Sequence, residues 1–232
     1  MRRAGQPPAL TCQSLPWLAL FATSVGLALS ACPAWLARAL PLTPEGVRRG
    51  QLWRLWTGHF VHYGSAHLWG DLLAFAVWAA LVEGESRRVL ARTLLIGAPL
   101  LAGAIALDCR EVSEYRGLSG LDAALVVELV VLRGLGWGVT ASGAGRGLGS
   151  WLTRQLGGST LRALGVASLS LFALKTGYEF TVGHALLAPD LGPGVRLLPA
   201  AHLFGAVVGV WATVRWRKCL RLIRNLELRP GN

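Results

Sequence analysis

Residues 15–37 form a run of 23 without a single charge. A water-soluble globule can rarely hide a helix of that length on every side. A bilayer accommodates it directly, because a spanning helix needs about 20 mostly apolar residues, within a range of about 17–25. Five further apolar stretches predict spans at 67–82, 89–107, 118–132, 161–182 and 197–214. Composition agrees with this reading. Of 232 residues 53% are hydrophobic and only 15% charged, whereas a soluble domain carries about 25% charged residues. The expected fold class is therefore all-α integral membrane, a six-transmembrane-helix bundle forming a single domain over residues 1–232, with the lipid bilayer as its partner.

The net charge of +11 needs a cause. The basic residues sit between apolar runs and form no stripe interleaved with aromatics, so nucleic-acid binding is not expected. Cytoplasmic positive charge explains them. With both termini cytoplasmic, the inner segments and the tail hold fifteen Lys and Arg, and the outer segments hold seven: Arg38, Arg48, Arg49, Arg54, Arg110, Arg116 and Arg196. Trp53, Trp56 and Trp69 fit an aromatic belt at the interface.

Several other features have bland readings. Leu29-Ser30-Ala31-Cys32 is similar to a lipoprotein cleavage site, but the uncharged run continues to Ala37, past the usual signal-peptide core of about 7–15 residues. It is read as a retained span. The glycine-rich stretch 134–158 lacks the P-loop Lys-Ser/Thr pair and follows no strand, which makes it an inner loop. Cys12, Cys32, Cys109 and Cys219 have no CxxC spacing. Cys32 and Cys109 both fall on the outer side, and their pairing is the alternative to two unpaired small apolar residues. His59, His62 and His67 contain no His-Glu-x-x-His arrangement and are assigned separate loop and helix roles, so neither a metal nor another cofactor is expected. His184 is placed in an outer loop. Lys175 and Glu179, one turn apart, are expected to pair structurally, with Asp122 or Glu128 as further partners.

Under this topology the second, fourth and sixth spans run from outside to inside. His67, Ser119 and His202 begin those spans, so three reactive side chains from distant positions fall at one depth near the outer face. A serine hydroxyl needs a base within hydrogen-bond reach to act as a nucleophile, and His202 is the best candidate. Gly205 and Gly209 follow it four residues apart, a small-xxx-small face that admits close helix approach.

The motifs Trp53-Arg54, His67-Leu68-Trp69-Gly70-Asp71, Gly117-Leu118-Ser119-Gly120 and His202 with Gly205 and Gly209 resemble, in order, those of the rhomboid family of intramembrane serine proteases. The resemblance covers roughly residues 50–215. Within the family, the region from Trp53 to His67, Tyr115-Arg116-Gly117-Leu118-Ser119-Gly120 and Lys175-Thr176-Gly177-Tyr178-Glu179 look most like rhombosortases, which are bacterial and cleave C-terminal Gly-Gly sorting signals. The resemblance implies a rhomboid-like bundle in the bacterial inner membrane and a Ser-His dyad: Ser119 as nucleophile, His202 as general base and acid. It implies oxyanion stabilisation by the Ser119 backbone and by His67 and Asp71, with no metal and no cofactor. The implied substrate is a single-span membrane protein entering laterally and cut near the outer face; nothing in the sequence fixes an oligomeric state. Asp71 departs from the family, which usually has Asn there. Either a protonated Asp71 donates to the oxyanion, or Asp71 pairs with His67 and leaves the oxyanion to other donors. Two rivals carry different expectations. A rhomboid-like pseudoprotease would bind membrane helices without cutting them, and a transporter would have broken helices near the midplane.

Overall fold

The computed structural model of the chain describes residues 15–108, 113–134, 148–182 and 198–227. All of the regular elements among them are helical. In chain order these are α1 (Trp17–Ser30), α2 (Ala34–Ala37), α3 (Pro44–Arg48), α4 (Arg54–Phe60), α5 (Ser65–Arg92), a π-helix (Thr93–Gly97), α6 (Ala98–Asp108), α7 (Ser119–Gly134), α8 (Leu148–Val182) and α9 (Ala200–Glu227). Cys32 is a free thiol, while Cys109, His184 with its expected outer-loop placement, and most of the glycine-rich stretch lie outside the described residues.

The predicted spans map onto these helices with altered limits. The first is shorter than 15–37: α1 stops at Ser30, and Pro33, which cannot continue a helix, precedes the short α2. Its opposite end is capped by Glu83, whose carboxylate accepts the N–H groups of Leu18 and Ala19 at 3.2 and 2.8 Å, two donors left open in a first turn. The fifth predicted span lies in α8 beyond a break at Gly157 (φ 72°, ψ 156°), and the sixth begins later than predicted, at Ala200, and continues to Glu227.

The second and third predicted spans lie in one helical stretch, Ser65–Asp108, the single one among the described residues long and apolar enough to cross a membrane on length and composition; Trp17–Ser30 and Ala200–Val214 are shorter apolar helices. A straight helix of 44 residues would run about 66 Å. It is not straight. Ser86 takes φ −162° and ψ 98°, and past it the chain returns. His59 Nε2 donates to the Ala98 carbonyl at 2.9 Å, a contact no continuous helix could reach. This burial holds His59 neutral, with its pKa pushed down to about 4.

Contacts along the bundle give each helix a direction. Gly26 of α1 meets Leu72, while the α1 start meets Glu83. Gly97 meets Val208, and Arg92 donates to the Ala212 carbonyl at 2.7 Å. Gly165 of α8 faces Val130 of α7. Among the described residues, six helical runs therefore alternate in direction between two ends. One end gathers Leu42, Gly58, Asp71, Tyr115 and Leu118; the other gathers Glu83 with Arg87, and Glu85 with Arg133.

An apolar core fills the bundle, and two features set it apart from an ordinary soluble globule. Large apolar side chains face outward, Leu107 at 77% exposure and Leu174 at 71%, while Glu128 at 0% and Glu179 at 3% lie inside. Glu128 accepts from the Thr93 hydroxyl rather than from Lys175, so it is not the further partner the sequence suggested. Asp122 Oδ1 has no hydrogen-bond partner among the described residues. Trp53, Trp56 and Trp69 are exposed, as a belt requires.

Candidate functional site

α7 and α9 pack closely along the centre of the bundle. A Cβ placed on Gly205 would strike the Gly120 carbonyl oxygen, and one on Gly209 would strike the Ala124 carbonyl oxygen. The two contacts advance together by four residues on each helix, so α7 and α9 run parallel. Ser119 precedes Gly120 by one residue and His202 precedes Gly205 by three. The glycine face therefore brings the candidate nucleophile and base to the first turns of adjacent helices. No hydrogen bond joins Ser119 and His202 among the described residues, where His202 Nδ1 meets Thr176 instead; catalytic hydrogen bonds often form only once substrate is bound.

Ser119 opens α7 as the chain leaves a fixed loop. Tyr115 bridges to Leu42 through paired backbone bonds of 2.8 and 3.1 Å, and Gly117 N–H donates to Gly58 at 3.2 Å. Gly117 holds φ +127°, and a Cβ there would press on His67 and Asp71 at 3.1–3.2 Å. Glycine is needed for both reasons. The Tyr115 hydroxyl donates to the Gly117 carbonyl at 2.9 Å and lies beside the Ser119 side chain and Gly120. Burial first, and then the Asp71 charge, push this phenol well above its ordinary pKa. It is a fixed neutral strut at the serine.

His67 and Asp71, one turn apart on α5, face this loop. Asp71 Oδ2 accepts the Leu118 N–H at 3.1 Å and lies 3.2 Å from His67 Nε2 and 3.5 Å from His62 Nε2. His62 and His67 meet edge to face at 5.1 Å. As the sequence suggested, His59 and His67 lie on helices and His62 in a loop; not foreseen was the approach of both His62 and His67 to one carboxylate, brought about by the loop 61–64 between α4 and α5. Of the two readings of Asp71, the geometry has it paired with His67 and accepting a backbone N–H. His67 Nδ1 is buried without a partner among the described residues.

His202 is 6% exposed. Its Nδ1 lies 3.0 Å from Thr176 Oγ1, Phe172 meets its ring edge-on at 4.7 Å, and Glu179 Oε2 lies 4.0 Å from Nδ1. Lys175 Nζ pairs with Glu179 at 2.7 Å, as the spacing predicted. The proximity of that pair to His202 was missed. The signal was present, since Phe172, Lys175, Thr176 and Glu179 recur at helical spacing on one face, but the sequence alone does not say what that face meets. A cavity of about 360 Å³ opens beside His202, lined by apolar residues of α7, α8 and α9 with Thr176 as its other polar group. Among the described residues no group of three or more His, Cys, Asp or Glu is arranged to hold a metal ion.

No family model and no curated protein matches the chain.

Proposed function

We propose that the chain is an intramembrane serine endopeptidase of the rhomboid type, a six-span protein with both termini cytoplasmic. It would act in a bacterial inner membrane on a single-span membrane protein, cutting near the outer face of the substrate helix. The observation that carries this reading is the glycine-lined α7–α9 crossing, which sets Ser119 and His202 on adjacent first turns. The exposed large apolar side chains and the enclosed carboxylates support placement in lipid, where exposed hydrophobic surface is the stable arrangement.

In this reading His202 Nε2 takes the Ser119 proton as Oγ bonds to the scissile carbonyl carbon. The tetrahedral intermediate then collapses, the peptide C–N bond breaks, and His202 returns the proton to the leaving amine. The oxyanion faces the N-terminal end of α7, where the Ser119 N–H has no intrahelical acceptor. Such a donor contributes about 10²–10³ in rate. His67 is the accompanying side chain, and with Nε2–H facing Asp71 it donates to the oxyanion through Nδ1 only in its doubly protonated form. Asp71 serves as an acceptor, holding His67 and the Leu118 N–H so that the next residue in the chain presents its own. A C-terminal Gly-Gly sorting signal suits the site, because glycine lowers the cost of unwinding the substrate helix by about 1 kcal/mol per residue relative to alanine.

A pseudoprotease that only holds membrane helices is the second reading, and the Asp71 carboxylate near the oxyanion region favours it. Coexpression of the full chain with single-span reporters bearing Gly-Gly signals separates the two. Cleavage by the wild type that is abolished by Ser119→Ala supports the protease. Binding of a reporter without cleavage, across a panel with and without the signal, supports the pseudoprotease.

A further inference from the structure

α8 carries a stripe that the dyad alone does not use. Phe172, Lys175, Thr176 and Glu179 occupy one helical face, and all four lie around His202 or its immediate partner. The behaviour of the threonine is informative. Thr23, Thr181 and Thr213 return the hydroxyl to a carbonyl three or four residues back, the ordinary habit of threonine in a helix, whereas Thr57 and Thr93 make their shorter bonds to the Leu40 carbonyl and to Glu128. Thr176 instead meets His202 Nδ1 at 3.0 Å, and the contact is buried.

Resting on the protease reading above, we propose that Thr176, backed by the Glu179–Lys175 pair, is the positioning residue of His202. A neutral imidazole carries one N–H, and the group bonded to one nitrogen fixes which it is. If Thr176 accepts from Nδ1–H, the Nε2 lone pair is left for the Ser119 proton. Were Thr176 to donate to Nδ1, the hydrogen would sit on Nε2 and His202 could not act as a base. The Glu179 carboxylate, 4.0 Å from Nδ1, favours a proton on that nitrogen and opposes a second lone pair facing it. When His202 takes the serine proton, the same carboxylate faces the new imidazolium. Lys175, bonded to both Glu179 oxygens at 2.7 and 2.9 Å, keeps it in place. Phe172 limits rotation of the ring. The arrangement divides between a hydroxyl and a carboxylate the orienting role that one aspartate fills in a triad.

The test uses the full chain in detergent or proteoliposomes with a fluorophosphonate probe, following the rate of adduct formation at Ser119. Thr176→Val should slow labelling roughly tenfold or more, part of the ~10²–10⁴ that general-base assistance supplies in full, and Thr176→Ser should restore most of the rate. Nitrogen NMR of histidine-labelled wild-type protein gives a readout independent of any variant's folding: Nδ1 of His202 should carry the hydrogen and Nε2 should not. Labelling of Thr176→Val at the wild-type rate, or a hydrogen on Nε2 of wild-type His202, overturns this inference and leaves the dyad standing. No adduct at Ser119 in the wild type removes the protease reading, and this inference with it.

Discussion

Leu118 gives its N–H to Asp71 Oδ2, and His67 and His62 approach the same oxygen within 3.2–3.5 Å. One backbone N–H bonded to this carboxylate oxygen, with two imidazoles close beside it, describes an anchor for the loop ahead of Ser119. An amide at this position keeps an acceptor for Leu118, whereas a methyl group keeps none. Asp71→Asn is therefore expected to leave fluorophosphonate labelling near the wild-type rate. Asp71→Ala should slow it about tenfold, the equivalent of a lost charge-assisted hydrogen bond of about 1.5 kcal/mol. Comparing the two labelling rates checks this. Equal losses in both variants would mean that the charge, and not the anchor, is what the site needs.

At the scale of elements, the α7–α9 crossing is the most demanding contact in the bundle. A methyl group on Gly205 meets the Gly120 backbone, which cannot swing aside as a side chain would. Gly205→Ala should force the helices apart, lowering stability by about 1–3 kcal/mol and abolishing labelling of Ser119. Gly103, with nothing within 4 Å of a Cβ, is the control: Gly103→Ala should be neutral or stabilise by up to about 1 kcal/mol. Thermal unfolding and probe labelling of the two variants measure both effects. Much of this level was legible in the sequence. The Gly205–Gly209 spacing marked a close approach, and the apolar runs marked the helices, since both depend on patterns within one segment. What each segment meets was not legible. The reversal at Ser86 was legible as the charged break around Gly84 between the spans at 67–82 and 89–107, but the convergence of His62 with His67 on Asp71 depends on a loop, and the contact of Thr176 with His202 joins two helices distant in sequence. The assignment of Lys175 and Glu179 to a structural pair was accurate for the pair and silent about its neighbour.

For the whole molecule, an apolar core encloses a minority of ionisable groups among the described residues, and each such group favours one protonation state when buried. His59 is the clearest case outside the apolar spans. It is neutral when folded, with a pKa of about 4, against 6.5 when unperturbed. Between these values the unfolded chain takes up a proton that the folded chain refuses. The contribution is whole above about pH 6.5 and is lost as pH falls toward about 4, a span worth ~3 kcal/mol. His59→Gln retains a donor for the Ala98 carbonyl but does not titrate. Its melting temperature should fall less between pH 7 and pH 4 than that of the wild type. Parallel acid losses in the two proteins would contradict this.

The most direct measurement of the central claim is mass-spectrometric mapping of a fluorophosphonate adduct on the full chain in proteoliposomes, compared with Ser119→Ala and His202→Ala. The expected result is one adduct, on Ser119, absent from Ser119→Ala and strongly reduced in His202→Ala. A folded wild-type protein with no adduct on Ser119, or one whose Ser119 labels equally well without His202, would contradict a serine nucleophile activated by that histidine.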